Sequence, residues 1–193
     1  MSTSNAKYVR SGDLLARDSS RLLIVDVQEK LLAAVPGRDR LVAQCGKLMD
    51  GAKILGVPTF ATEQYPQGLG PTTPVLAERL GTAAAKVRFS CAEVLDWGTA
   101  AEQGDQRFQI VVAGMEAHVC VLQTVLDLLA AGYQVFVPAD AVASRNEVDH
   151  RVALERMIGC GATIVTTESV LFEWCEVAGT PEFKQISQLI KQG

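Results

Sequence analysis

The sequence predicts a doubly wound α/β fold built on a six-stranded, mostly parallel sheet. Three observations carry this. Short apolar runs alternate with longer stretches of helical periodicity from Arg21 to Lys191. Leu22–Val25 and Phe108–Ala113 are apolar with no polar alternation, the pattern of strands covered on both faces. Helix stop and start signals, among them Gly56, Thr73-Pro74 and Gly132, fall between the runs.

The elements follow in order. Arg21–Asp26 reads as a first strand ending in an acid. Leu41, Cys45, Leu48, Ala52 and Leu55 recur at helical spacing, and Gly56 ends that helix. Val57–Thr62 reads as a second strand, with Pro58 confined to its start. Glu63–Pro71 is rich in Gly and Pro and is expected to be an irregular loop, and Thr73-Pro74 opens a short helix. Ala83–Val87 is a weak third strand. Ser90–Glu93 has capping-box spacing and opens another helix. Phe108–Ala113 is the strongest strand and Ala117–Ala131 the strongest helix. Tyr133–Val137 is the fifth strand. A second capping box, Ser144–Glu147, leads into a helix to about Gly159. Ala162–Val165 is the sixth strand, and a helix over Pro181–Lys191, capped by Thr180, ends the chain.

A length of 193 residues suits one core, hence one domain over 1–193 with residues 1–19 as an N-terminal extension. Charged residues make up 21%, the formal net charge is −4 and no basic run occurs, which argues against a nucleic-acid partner. No apolar stretch spans a bilayer, so no membrane partner is expected, and Met1–Ser20 lacks a signal-peptide apolar segment. Five cysteines without a C-x-x-C pair fit a reducing cytoplasm better than a disulfide or zinc scaffold.

In doubly wound sheets ligands bind beyond the carboxyl ends of the strands. Asp26, Thr62, Lys86 and Gly114–Cys120 all fall at or just after predicted strand ends, so topology places them on one rim. Cys120 stands at a strand-to-helix turn, where free amides and the helix dipole favour a thiolate. The plain alternative is a small buried residue, the reading taken for the other four cysteines. Asp26 is either a turn acid or a general base beside the thiol. Lys86 is either a snorkelling surface lysine or a cation that holds Asp26 ionised and lowers the thiol pKa. His118 is not a base for Cys120, because two residues along a helix lie roughly 200° apart. His118 reads as structural or rim-lining, and His150 as exposed on the following helix. Trp97 and Trp174, on helical segments, read as packing anchors.

At this point the chain resembles the isochorismatase-like cysteine hydrolase family. Leu23–Gln28, Lys86–Ser90 and Gly114–Val121 carry the match, in the order Asp, Lys, Cys. Thr62–Gly70 and Asp140–Arg145 narrow it to the isochorismatase domain-containing protein group. The resemblance implies a three-layer α/β/α sandwich with sheet order 3-2-1-4-5-6. It implies Cys120 as nucleophile, Asp26 as general base and acid, and Lys86 as the third member. It also implies a cis peptide between Met115 and Glu116, and an oxyanion hole from the amides of Glu116 and Cys120. Nicotinamidase members carry an Asp-x-His metal pair after the second strand. Here Thr62-Glu63-Gln64-Tyr65 stands there, so no metal and no cofactor are expected. Isochorismatases proper lack the cysteine. The expectation is therefore hydrolysis of an amide or carbamoyl C–N bond in a small molecule through a thioester. Glu63, Tyr65, Phe89 and His118 are the candidate pocket wall, and a homo-oligomer is expected. The competing readings are a non-catalytic binding or scaffold protein that retains the hydrolase fold and a flavodoxin-like redox carrier. Val27–Lys30 offers no phosphate loop for the carrier.

Overall fold

A computed structural model describes residues 8–191. Residues 1–7 of the expected N-terminal extension lie outside the described residues. The rest of that segment packs onto the sheet: Leu15 is wholly buried, and Arg10 donates to the carbonyls of Leu15 and Glu173. After a 3₁₀ turn at Arg17–Ser19 the elements are β1 (Ser20–Val25), α1 (Glu29–Leu32), α2 (Arg38–Leu55), β2 (Thr59–Gln64), α3 (Pro66–Leu69), α4 (Pro74–Ala77), β3 (Ala84–Lys86), α5 (Ala92–Leu95), β4 (Gln109–Met115), α6 (Leu122–Ala130), β5 (Gln134–Pro138), β6 (Val142–Ala143), α7 (Glu147–Gly159), β7 (Thr163–Val165), α8 (Thr167–Cys175) and α9 (Pro181–Lys191). No helix among the described residues is long and apolar enough to cross a membrane.

The strands pair in parallel in the order β3-β2-β1-β4-β5-β7, which is the expected order with Thr163–Val165 as its last strand. One strand is extra. β5 pairs with Gln109–Val111 of β4 and then leaves it; β6 takes over that edge beside Gly114 and Met115. Two residues carry no periodicity, so β6 has no sequence signature.

Successive residues of the central strands face opposite layers. Leu22, Ile24, Val111 and Ala113 face α2, α8 and α9, together with Leu48, Trp174 and Ile186. Leu23, Val25, Ile110 and Val112 face α6 and α7, together with Val125, Leu128 and Met157. This is the three-layer arrangement. At the carboxyl end of the central pair, β1 and β4 approach so closely that a Cβ on Gly114 would lie 2.1 Å from the Val25 carbonyl oxygen. With φ at +122°, only glycine suits that position.

Four local expectations are corrected. β2 runs to Gln64, because Glu63 and Gln64 pair with Ala85 and Lys86, so the expected loop begins as strand and then turns through α3. Neither expected capping box forms. Glu93 pairs instead with Arg88, and Ser144 with His118, while the box that does form is Thr99 with Glu102, on a single 3₁₀ turn. Trp97 lies on a loop, where it still anchors packing, edge-on to Phe60 and 4.8 Å beneath the Arg21 guanidinium. Cys160 is exposed at the end of α7, unlike the four buried cysteines. Trp174 lies on α8 and is buried, and Thr180 caps α9 by accepting from the Phe183 amide at 3.0 Å.

Candidate active site

β1 ends at Val25, and the next residue has left-handed backbone, φ 51°. Aspartate tolerates this region better than most residues. Asp26 thereby leaves the strand's alternation and lies wholly buried against its neighbours on the rim. Its Oδ1 accepts from the Thr62 hydroxyl at 2.8 Å, and its Oδ2 accepts from Lys86 Nζ at 2.7 Å. Lys86 is the last residue of the edge strand β3 and is only 4% exposed, so it does not snorkel. Besides Asp26, its ammonium donates to Gln64 Oε1 at 2.7 Å and to the carbonyls of Phe89 at 2.9 Å and Arg88 at 3.3 Å. A buried charge survives only with such a complete set of partners.

Gln64 is the participant that the sequence reading missed. Thr62 and Gln64 alternate onto one face of β2, toward the α6 layer, and Glu63 onto the other. The Glu63 carboxylate accepts from the Thr72 amide and hydroxyl at 2.6 and 2.8 Å, so it pins a loop and does not face the thiol. The buried Gln64 amide holds Lys86 through its oxygen, donates to the Val87 carbonyl at 2.8 Å, and has its oxygen 3.9 Å from Cys120 Sγ. Gln28, also buried, exchanges hydrogen bonds with the Gln64 backbone. The one available signal was strand period: extending β2 by two residues puts Gln64, not Glu63, on the side of Thr62.

β4 ends at Met115, and the Met115–Glu116 peptide is cis. The expected helix then begins as a π turn, Ala117–Val121, before α6 proper. The amides of Val119 and Val121, flanking Cys120, both donate to the Glu116 carbonyl, while the Cys120 amide does not. The Glu116 side chain turns away and pairs with Arg145 at 2.8 Å. Cys120 is 5% exposed. Its thiol is pushed well above the ordinary range, first by burial and then by the charge of Asp26; Lys86 opposes these but does not outweigh them. This corrects the expectation of a low-pKa thiol at a helix start.

Of the remaining rim residues, Tyr65 and Phe89 are about half exposed, 52% and 50%. His118 bonds Ser144 through Nδ1 at 3.0 Å and faces Asp149 at 3.9 Å through Nε2. His150 is half-buried in the first turns of α7, not exposed. Among the described residues no group of three or more His, Cys, Asp or Glu side chains is arranged to hold a metal ion.

The Isochorismatase domain family matches residues 20–169. Isochorismatase domain-containing protein 2 of Bos taurus is 40% identical over 177 residues, covering 90% of this chain and 84% of that protein. Among solved structures, one described as a MAR1 ribonuclease from Caenorhabditis elegans superposes with a TM-score of 0.85 at 34% identity, over 93% of each chain. YcaC from Pseudomonas aeruginosa, described with hexane-2,5-diol and covalent acrylamide, superposes with a TM-score of 0.75 at 25% identity, over 95% of this chain and 98% of that one.

Proposed function

The chain belongs to the isochorismatase family of hydrolases, and from that premise we propose that it hydrolyses an amide or carbamoyl C–N bond of a small molecule, with Cys120 as nucleophile. The observation that carries this reading is a buried thiol beside a buried Asp26–Lys86 ion pair, with Gln64 Oε1 3.9 Å from the sulfur and 2.7 Å from the ammonium. A standing thiolate is not needed. Asp26 takes the Cys120 proton as sulfur attacks the carbonyl carbon, so nucleophile and base act together. The oxyanion is received by the amides of Glu116 and Cys120; one such donor is typically worth about 2.7–4 kcal/mol. As the C–N bond breaks, Asp26 gives the proton to the departing amine and leaves a thioester. It then takes a proton from water, whose oxygen attacks the thioester carbon, and returns that proton to the sulfur. Lys86 keeps the carboxylate ionised and Gln64 fixes the ammonium. Tyr65, Phe89 and His118 border the entrance; Glu63 contributes only by holding the loop. The covalent acrylamide described for the YcaC neighbour supports a site that admits a small electrophilic amide.

The ribonuclease description of the Caenorhabditis elegans structure motivates a second reading. Charge disfavours it here. Arg88 is paired with Glu93 and Arg145 with Glu116, each at 2.8 Å, and the net charge is −4. A panel of small amides, carbamoyl compounds and a single-stranded RNA separates the readings. Amine or ammonia release that vanishes in Cys120→Ala, with a trapped acyl adduct on the Cys120 peptide, is expected. RNA cleavage dependent on Cys120 would replace the proposal, and turnover indifferent to Cys120 would end it. Absence of any Cys120-dependent chemistry is the outcome for a scaffold protein. The oligomer, expected from family resemblance, belongs to the same reading and is measured by sedimentation.

A further inference from the structure

One buried nucleophilic group beside the ion pair has no role in this chemistry. Cys91, just after β3, is wholly buried, and its sulfur lies 3.3 Å from the Thr62 hydroxyl oxygen. Thr62 itself is 1% exposed. The Cys91 backbone is fixed as well, because its amide donates to Thr124 Oγ1 at 2.9 Å and that hydroxyl donates to the Cys120 carbonyl at 2.7 Å. The two thiols therefore flank one carboxylate, and the titratable groups facing Asp26 are Lys86, Cys91 and Cys120.

Donor bookkeeping fixes the direction of the chain. A hydroxyl has one hydrogen. An ionised carboxylate only accepts, so the Thr62 hydrogen goes to Asp26 Oδ1. Thr62 Oγ1 then has only lone pairs to offer Cys91, and the thiol must donate. The order is Cys91 S–H to Thr62, Thr62 O–H to Asp26. When Oδ1 is protonated, a hydroxyl and a thiol can both reverse: Asp26 donates to Thr62 and Thr62 to the Cys91 sulfur. Lys86 cannot reverse, since an ammonium has no lone pair. Asp26 thus has one rigid partner that favours its anion and one reversible partner that bonds both states, the anion more strongly because that bond is charge-assisted.

We propose that Thr62, backed by Cys91, is a positioning residue that holds Asp26 in place through both of its protonation states. The inference rests on Asp26 acting as the base for Cys120. It is tested without knowledge of the substrate. Alkylation of Cys120 by iodoacetamide is followed across pH by peptide mass, with exposed Cys160 as internal reference. Wild-type alkylation should fall away on the acid side. Asp26→Asn should slow it about 100-fold or more across neutral pH. Thr62→Val removes a donor to the carboxylate and should move the acid limb up by about one pH unit. Thr62→Ser should restore the wild-type limb. Cys91→Ala should move it the same way by a smaller amount, about half a unit, and Cys91→Ser should not.

A folded Thr62→Val with the wild-type limb, or a Thr62→Ser that fails to restore it, overturns the inference while leaving Asp26 as base. If Thr62→Val does not fold, a Cys91→Ala profile identical to wild type overturns it equally. If Asp26→Asn leaves Cys120 as reactive as before, the underlying reading fails instead.

Discussion

Each face of the sheet buries a cysteine on a helical segment, and the two behave differently for a local reason. Cys45, on α2, sits among apolar side chains, and its thiol donates to the Ala141 carbonyl at 3.8 Å. Burial pushes its thiol up to about 12, with the Asp140 charge adding to the effect. Cys120, on the opposite layer, is also pushed up by burial and then by a carboxylate. Acidity does not distinguish them, since burial raises both thiols. The difference lies in what is within reach. In the proposed chemistry Asp26 takes the proton of Cys120, and Lys86 lies 2.7 Å from that carboxylate. On that proposal a reactive cysteine is defined by its neighbours' capacity to accept a proton, not by its resting pKa.

Substitution on the two faces should sharpen that contrast most. Cys120→Ala should lower turnover of any accepted amide by about 10⁴-fold or more, whereas Cys45→Ala should keep turnover and lose about 1 kcal/mol of stability in a urea titration. If both variants lose turnover alike, the contrast is broken. Next in size is Lys86→Met, which strands a buried carboxylate and should cost about 3–5 kcal/mol by the same titration. The double variant Asp26→Asn, Lys86→Met should recover most of that loss. Gly114→Ala should cost about 3 kcal/mol, because its Cβ would meet the Val25 carbonyl at 2.1 Å in a left-handed backbone.

The pH dependence comes next. An ordinary thiol, as in the unfolded chain, ionises near 9, and folded Cys45 near 12. Between these values the unfolded state holds fewer protons, so stability contributed by the neutral thiol is full below 9 and is lost as pH rises. The slope is about 1.4 kcal/mol per pH unit for each such thiol. Cys45→Ala should make alkaline denaturation curves shallower, and an unchanged slope would contradict the assignment. The smallest effect belongs to exposed Cys160, where Cys160→Ser should stay within about 0.5 kcal/mol of wild type.

The layer order and the rim were legible because they depend on long-range pattern. Apolar runs such as Leu22–Val25 identified buried strands, and strand-end position alone gathered Asp26, Lys86 and Cys120 before any contact was known. What was not legible depends on one or two residues of register. Ending β2 at Thr62 put Glu63 in the expected wall and concealed Gln64, since a slip of one residue exchanges the faces of a strand. Capping boxes misled for a related reason. Ser144 met His118, a partner 26 residues away in sequence, that no local pattern reveals. The thiol pKa was misjudged because the helix-start argument counts only local dipoles, while burial and the Asp26 charge come from the whole fold.

The enclosure of Lys86 has a practical corollary. Its amine is saturated by four acceptors on one of the shortest strands of the sheet, at the sheet's edge. Acylating reagents need a free amine, so they can reach it only when β3 peels from β2. The rate at which Lys86 is labelled therefore clocks a local opening, distinct from global unfolding. This one lysine is a gauge of how often the edge of the molecule breathes.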